Sequence, residues 1–337
     1  MSSNRILIPF PTNFRRHSDC SGIRDADRES TESPQPSKST IKQLGNRLSI
    51  RRKKKTAASD KVGVKHLSHK EALEIQQFLE SEYKYSKSTL LELCGLASAT
   101  VISKLYPLSA PPPTSPRWRV LVVCGPNFSG GVGLVVARHL RLFGYQPTVY
   151  YPQPSMEPVF KEVYAQLEAL EISSLSYLPT EATLIARSYD LILDSLFGLG
   201  WDGIISDPVS EIIARLKKSE VPTASIDVPA GWRIDKGRPM ESDQAMITHP
   251  HLMPDALISL VAPKLCAQSF TGRHHFLVAF FVPKMLETKF SLTYPRLPDG
   301  ELVINLNEAE YDCQKLGGTG NATQKETDGF DLQLQIS

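Results

Sequence analysis

From Trp118 to Phe280 the chain alternates between two kinds of segment. One is short and largely apolar: Val120–Cys124, Thr148–Tyr151, Ser174–Tyr177, Leu191–Asp194, Thr223–Asp227, Ala256–Leu260 and Phe276–Phe280. The other is longer, with apolar residues at helical spacing, as in Leu134–Phe143, Pro158–Leu170 and Val209–Lys217. Strands apolar on both sides are covered on both sides, and strands separated by helices run parallel. The pattern therefore predicts an α/β fold, with a mostly parallel sheet between helical layers. In such folds ligands sit beyond the carboxyl ends of the strands.

Upstream, Ser68-His69-Lys70-Glu71 has the form of a capping box, and Ala72, Ile75, Phe78 and Leu79 continue at helical spacing. A second helix is expected over Ser88–Lys104. Five prolines between Pro107 and Pro116 then link this helical pair to the alternating part. Residues 1–61 are rich in Ser, Pro and Arg without periodicity, and read as a disordered basic extension. Residues 296–337 read as a mostly disordered tail. The stretch Arg238–Met253 has no pattern and reads as a loop or insertion.

The net charge of +2 hides an asymmetry: residues 1–60 hold 13 Lys/Arg against 6 Asp/Glu, and the remainder 25 against 30. The block Arg51-Arg52-Lys53-Lys54-Lys55 suits acidic lipid, nuclear import or nucleic acid, or is simply a solvated charge run, the favoured reading. No nucleic-acid partner is expected. No apolar run approaches the ~20 residues that span a bilayer, so no transmembrane segment is expected. The arginines of the first 28 residues suit a mitochondrial presequence, but the acids among them do not. Five scattered cysteines without a CxxC pair suit reduced thiols, and a cytoplasmic location is expected. Mitochondrial and secreted forms stay open.

Cys124-Gly125-Pro126-Asn127-Phe128-Ser129-Gly130-Gly131-Val132-Gly133 joins a strand to a helix, the setting of an anion site. It is neither a Walker loop, which needs Lys-Ser/Thr after the glycines, nor a clean GxGxxG. The alternative is a tight turn that needs glycine for its backbone shape. Asp194 ends one strand and is either a cation ligand, a general base or an N-cap. Asp227 ends another. Two strand-end acids beside a Gly-rich loop are more specific than any one of them. His249-x-His251 has metal spacing but lies in the apparent insertion, and His274-His275 reads as structural. Asn127 and Asn321 begin N-x-S/T sequons, neither of which implies secretion.

Together with Val64-Lys65-His66-Leu67-Ser68, Asp194-Ser195-Leu196-Phe197-Gly198, Ser225 to Trp232, Ala262-Pro263-Lys264 and Phe270 to His274, these motifs resemble the YjeF N-terminal domain over residues 62–295. The resemblance implies a Rossmann-like three-layer αβα sandwich preceded by an N-terminal helical pair, often dimeric. The family includes NAD(P)HX epimerase, which interconverts the R and S forms of hydrated NADH and NADPH with a bound potassium ion. Carried over, the cofactor-binding positions are Phe128, Ser129, Gly130, Gly131, Val132, Gly198, Leu199, Gly200, Trp201, Asp202, Gly203 and Asp227. Asp227 would be the catalytic residue, and the potassium positions would be Ser129, Asp194 and Ala230.

Several positions depart from the family pattern. Phe128 and Ser129 replace an Asn-Asn pair, Val132 replaces an Asp, and Ala230 replaces a Ser. Ala230 offers no side-chain oxygen, and Val132 is expected to put an apolar side chain at the pocket mouth. The resemblance then implies a non-catalytic member that binds apolipoprotein A-I or HDL and promotes cholesterol efflux, with effects on angiogenesis. The alternative is a working epimerase, which would bring potassium and an NAD(P)HX-like ligand.

Overall fold

The computed structural model describes residues 64–201, 205, 207–239, 250–279, 282–294 and 301–308. The expectations for residues 1–61, Asp202, Gly203, His249, Asn321 and the end of the tail lie outside them.

Two helices come first, α1 (His69–Ser81) and α2 (Lys87–Leu105). The alternation then runs β1 (Arg119–Cys124), α3 (Phe128–Phe143), β2 (Gln146–Tyr150), α4 (Pro158–Ala169), β3 (Ser173–Leu175), α5 (Ala182–Ser188), β4 (Leu191–Ser195), α6 (Val209–Ser219), β5 (Thr223–Ile226) and β6 (Ala256–Leu260). A 3-10 turn (Leu265–Ser269), β7 (His274–Val278), α7 (Lys284–Lys289) and β8 (Val303–Asn305) follow. The eight strands form one sheet in the order β3-β2-β1-β4-β5-β6-β7-β8. All pairs are parallel except β7 with β8.

Alternate residues of each strand feed opposite layers, as the two-sided apolar runs require. Val120, Val122, Leu191, Leu193, Ile226 and Ile258 pack with α2, α3 and α4. Leu121, Val123 and Ile192 pack with α5 and α6 on the other face. Each such side chain contributes about 1.5–3 kcal/mol on leaving water. By length and composition α2 could cross a membrane, but half of its apolar window is buried within the fold. It packs so closely on α3 that a Cβ on Gly95 would collide with Val135. It is a core helix.

One element lies beyond the expected domain end. β8 falls within the stretch read as tail, yet Val303 and Ile304 are buried against the antiparallel partner β7. The folded unit therefore extends past residue 295.

The capping box is present. Ser68 Oγ accepts from the Glu71 N–H, and the Glu71 carboxylate accepts from the Ser68 N–H. Ser68→Ala is expected to lower stability by about 1 kcal/mol, read from the urea midpoint. Lys65, at 2.6 Å, and then the Ser68 N–H hold the Glu71 carboxyl down at about 2, against an ordinary 4.5. An acid depressed in the fold stabilises above its unfolded pKa and loses that contribution as pH falls through the folded value. Glu71→Gln should therefore flatten the acid slope of stability between about pH 4.5 and 2.

Candidate active site

β1 and β4 lie side by side, but the chain leaves them in opposite directions, through β2 to β3 and through β5 to β6. This is the switch point where open α/β sheets hold ligands, and the Gly loop and the loop after β4 flank it.

The Gly loop is built for the packing of its own backbone. Asn127 caps α3, its Oδ1 accepting from the Gly130 N–H at 3.1 Å. Its Nδ2 donates to the Leu196 carbonyl at 2.8 Å, which ties the loop to the segment after β4. A Cβ on Gly125 would collide with the Leu196 carbonyl, one on Gly130 with the Gly125 carbonyl, and one on Gly133 with Ser195. The glycines let helix and strand approach, the tight-turn alternative of the sequence reading. One of the helix's N–H groups that an anion could have used is already occupied by Asn127.

Asp194 is wholly buried. Its Oδ2 accepts from Ser225 Oγ at 2.7 Å and the Ala230 N–H at 2.9 Å, and its Oδ1 from the Leu196 N–H at 3.2 Å. Burial pushes its pKa up, against the pull of those three donors. Asp194 thus joins β4, β5 and the turn after β5.

Asp227 follows β5 with φ 62°, in the left-handed region that favours glycine. Its Oδ1 accepts from the Leu260 N–H at 3.0 Å and from Lys264 Nζ at 2.6 Å. Lys264 Nζ also reaches the carbonyls of Leu260 at 2.7 Å and Ala262 at 3.2 Å. Both side chains of this pair are only 3% exposed. Sequence reading assigned Lys264 no role. The available signal was its position: a cation shortly after β6, the neighbour of the strand that ends in Asp227.

Asp227, Lys264, Ser129, Phe128 and Leu199 line one cavity, roofed by Ile75 and Leu79 of α1. Its volume is about 50 Å³. That admits a few water molecules, whereas drug-sized ligands occupy roughly 300–1,000 Å³. The roof is held by His69, whose Nε2 lies 2.5 Å from the Leu199 carbonyl and whose N–H donates to Asp235 at 2.7 Å. Cys94 also lines the cavity, and burial pushes its thiol up to about 12, too high for a nucleophile at neutral pH.

A separate, open groove of about 500 Å³ follows the switch point, lined by Pro126, Asn127, Pro152, Phe197, Gly200 and Trp201. The Trp201 ring stacks on Phe197 with centroids 4.4 Å apart. Neither Asp194 nor Asp227 lines this groove. Among the described residues, the strand-end acids are thus kept out of this groove.

Two expectations change. Val132 is not at a pocket mouth, because it faces inward from the first turns of α3 and is wholly buried in the core shared with α2. The three potassium positions do not make a cation shell. Ala230 is buried and contributes its N–H to Asp194, and the Asp194 carboxylate is engaged by three donors. The Ser129 hydroxyl and the remaining lone pair of the Asp194 carboxylate are the side-chain oxygens that these positions offer, and a cation of this class takes several oxygens. Among the described residues, these three side chains alone do not complete a potassium shell.

The family model described as YjeF-related protein N-terminus matches residues 87–266. Among solved structures, the crystal structure of the yeast protein ynu0 (YNL200c) aligns with a TM-score of 0.65 and 29% identity, covering 72% of this chain and all of the yeast chain. A transhydrogenase from Sinorhizobium meliloti aligns with a TM-score of 0.26 and 16% identity over 42% of this chain and 40% of its own, too slight a likeness to bear on fold or function.

Proposed function

Since the chain belongs to the YjeF-related N-terminal family, we propose that it is a member that has kept the fold and lost the turnover, acting as a binding protein. The observation that supports this most is the separation of acid from space. Asp227 faces a cavity of about 50 Å³, and the groove of about 500 Å³ does not reach it. A general base must come within hydrogen-bond reach of the proton it takes, directly or through one water. The partner we propose is apolipoprotein A-I on HDL, with cholesterol efflux downstream. The partner is the one that the resemblance to this family implies, and the departures at Phe128, Ser129, Val132 and Ala230 motivate the non-catalytic part of the reading.

Purified chain given R-NADHX is expected to show no epimerisation above the uncatalysed rate. Its melting temperature should be the same in potassium as in sodium chloride, since the side chains at the three potassium positions do not alone complete a cation shell. Immobilised apolipoprotein A-I should retain it. Turnover that disappears in Asp227→Ala would sink the non-catalytic reading, and a failure to bind apolipoprotein A-I would sink the partner.

One observation favours the second reading, a working NAD(P)HX epimerase. Asp227 is held at φ 62°, and a left-handed backbone at a non-glycine residue is often kept for function. That reading requires α1 to lift from the cavity. It predicts that an NADP(H) analogue raises the melting temperature, and that the rise disappears in Asp227→Ala.

A further inference from the structure

At the opposite end of the sheet from Asp194 and Asp227, the first residues of β1, β2 and β3 floor a groove of about 400 Å³. Arg141 from the last turn of α3, Glu171 from just after α4, and Tyr189 from just after α5 stand around it, with Gln146, Ser188 and Arg119. Arg119 is already engaged. Its guanidinium forks onto Asp190 at 2.7 and 2.9 Å and reaches the Arg187 carbonyl at 2.7 Å. Arg141 and Glu171 are different: both are exposed, and neither has an ion-pair partner among the described residues. Opposite charges therefore face one groove without closing on each other.

Glu171 also stands at a position unfavourable both for its charge and for its backbone. It follows the C-cap of α4, so its negative charge lies at the negative end of that helix. Its φ is 54°, in the left-handed region where a helix end favours glycine. Glu220 shares this combination at the end of α6, with φ 57°, so what distinguishes Glu171 is the groove that it lines together with Arg141.

We propose that this groove is a binding site for a small zwitterion, its anionic group on Arg141 and its ammonium on Glu171, with the Tyr189 ring beside the cationic end. A spacer between the two charges is needed because the side chains do not meet. Phosphoethanolamine and phosphocholine have this form, either free or as the headgroup of a phospholipid. An Arg guanidinium suits a phosphate, and an aromatic face suits a quaternary or primary ammonium.

Calorimetric titration of the full chain with phosphocholine tests the proposal, with choline and inorganic phosphate as half-ligands. Phosphocholine is expected to bind at least about tenfold more tightly than either half, a difference of about 1.4 kcal/mol. Arg141→Gln and Glu171→Gln should each weaken it at least about tenfold. Glu171→Gly should weaken binding and raise the melting temperature, a pairing that a merely structural role does not give. Phosphatidylcholine vesicles that pellet the wild type but not Arg141→Gln would identify the lipid headgroup as the source. Phosphocholine binding without pelleting would identify the free molecule. Equal binding by wild type and both Gln variants overturns the site. So does inorganic phosphate binding as tightly as phosphocholine, or no saturable binding of either headgroup or vesicles.

Discussion

Lys264→Met is expected to cost the fold about 3–5 kcal/mol, the scale for removing one partner of a buried ion pair. Lys264 Nζ sits 2.6 Å from Asp227 Oδ1, with both side chains 3% exposed. Methionine fills the space but leaves the carboxylate in an apolar cavity with the Leu260 N–H as its remaining described donor. The Leu260 and Ala262 carbonyls lose their Lys264 donor at the same time. Asp227→Asn should be costly for the converse reason, a buried ammonium held by carbonyls alone. The double variant Asp227→Asn with Lys264→Met removes both charges and should cost clearly less than the sum of the two singles, since contacting residues do not add. Urea denaturation of the four proteins gives the coupling energy. Additive losses would mean that the pair is not a unit and that Lys264 has been assigned the wrong role.

Val132→Asp, which restores the acid of the family pattern, is expected to destabilise by about 3 kcal/mol or more. Its position is wholly buried between α2 and α3, among Val135, Val136 and other apolar side chains. A carboxyl there is easier to bury as the neutral acid, so its folded pKa lies above its unfolded one. An acid raised in this way is least harmful at low pH and most harmful once pH exceeds the folded pKa. The loss should therefore grow from about pH 4 to pH 8. Val132→Asn has the same shape without the charge, and its loss should not change with pH. If Val132→Asp were as stable as wild type at pH 8, the position would have water or a cation within reach, and the expectation of a pocket mouth would return.

The strands were legible because a strand buried on both faces has to be apolar throughout, and β4 (Leu191–Ser195) and β6 (Ala256–Leu260) stand out for that reason. β8 was not legible. Three residues within a polar segment carry too short a pattern, and their burial comes from pairing with β7, which sequence distance conceals. The two acids were legible as strand ends, but their partners were not. Lys264 reaches Asp227 across the β5–β6 pairing, and Ala230 meets Asp194 through its backbone N–H, which no side-chain pattern reports. Asn127 could have been read as an N-cap from its place before α3, but it stood out only as a sequon. Val132 was misplaced because the likeness supplied a role for that position while the direction of the side chain depends on which way α3 faces α2.

Among the described residues, the sheet ends on both sides in a strand of three residues, β3 at one margin and β8 at the other. An open sheet edge is a template for another chain, and long flat edges are where fibres and swapped dimers begin. Here the six longer strands are all interior, and each margin offers an incoming strand only three residues to pair with. A variant that lost β8 would expose β7, five residues long with Phe276, Leu277 and Val278 at its end, as the new margin. The short closing strand thus acts as a guard against self-association, and truncation before Val303 is where aggregation should first appear.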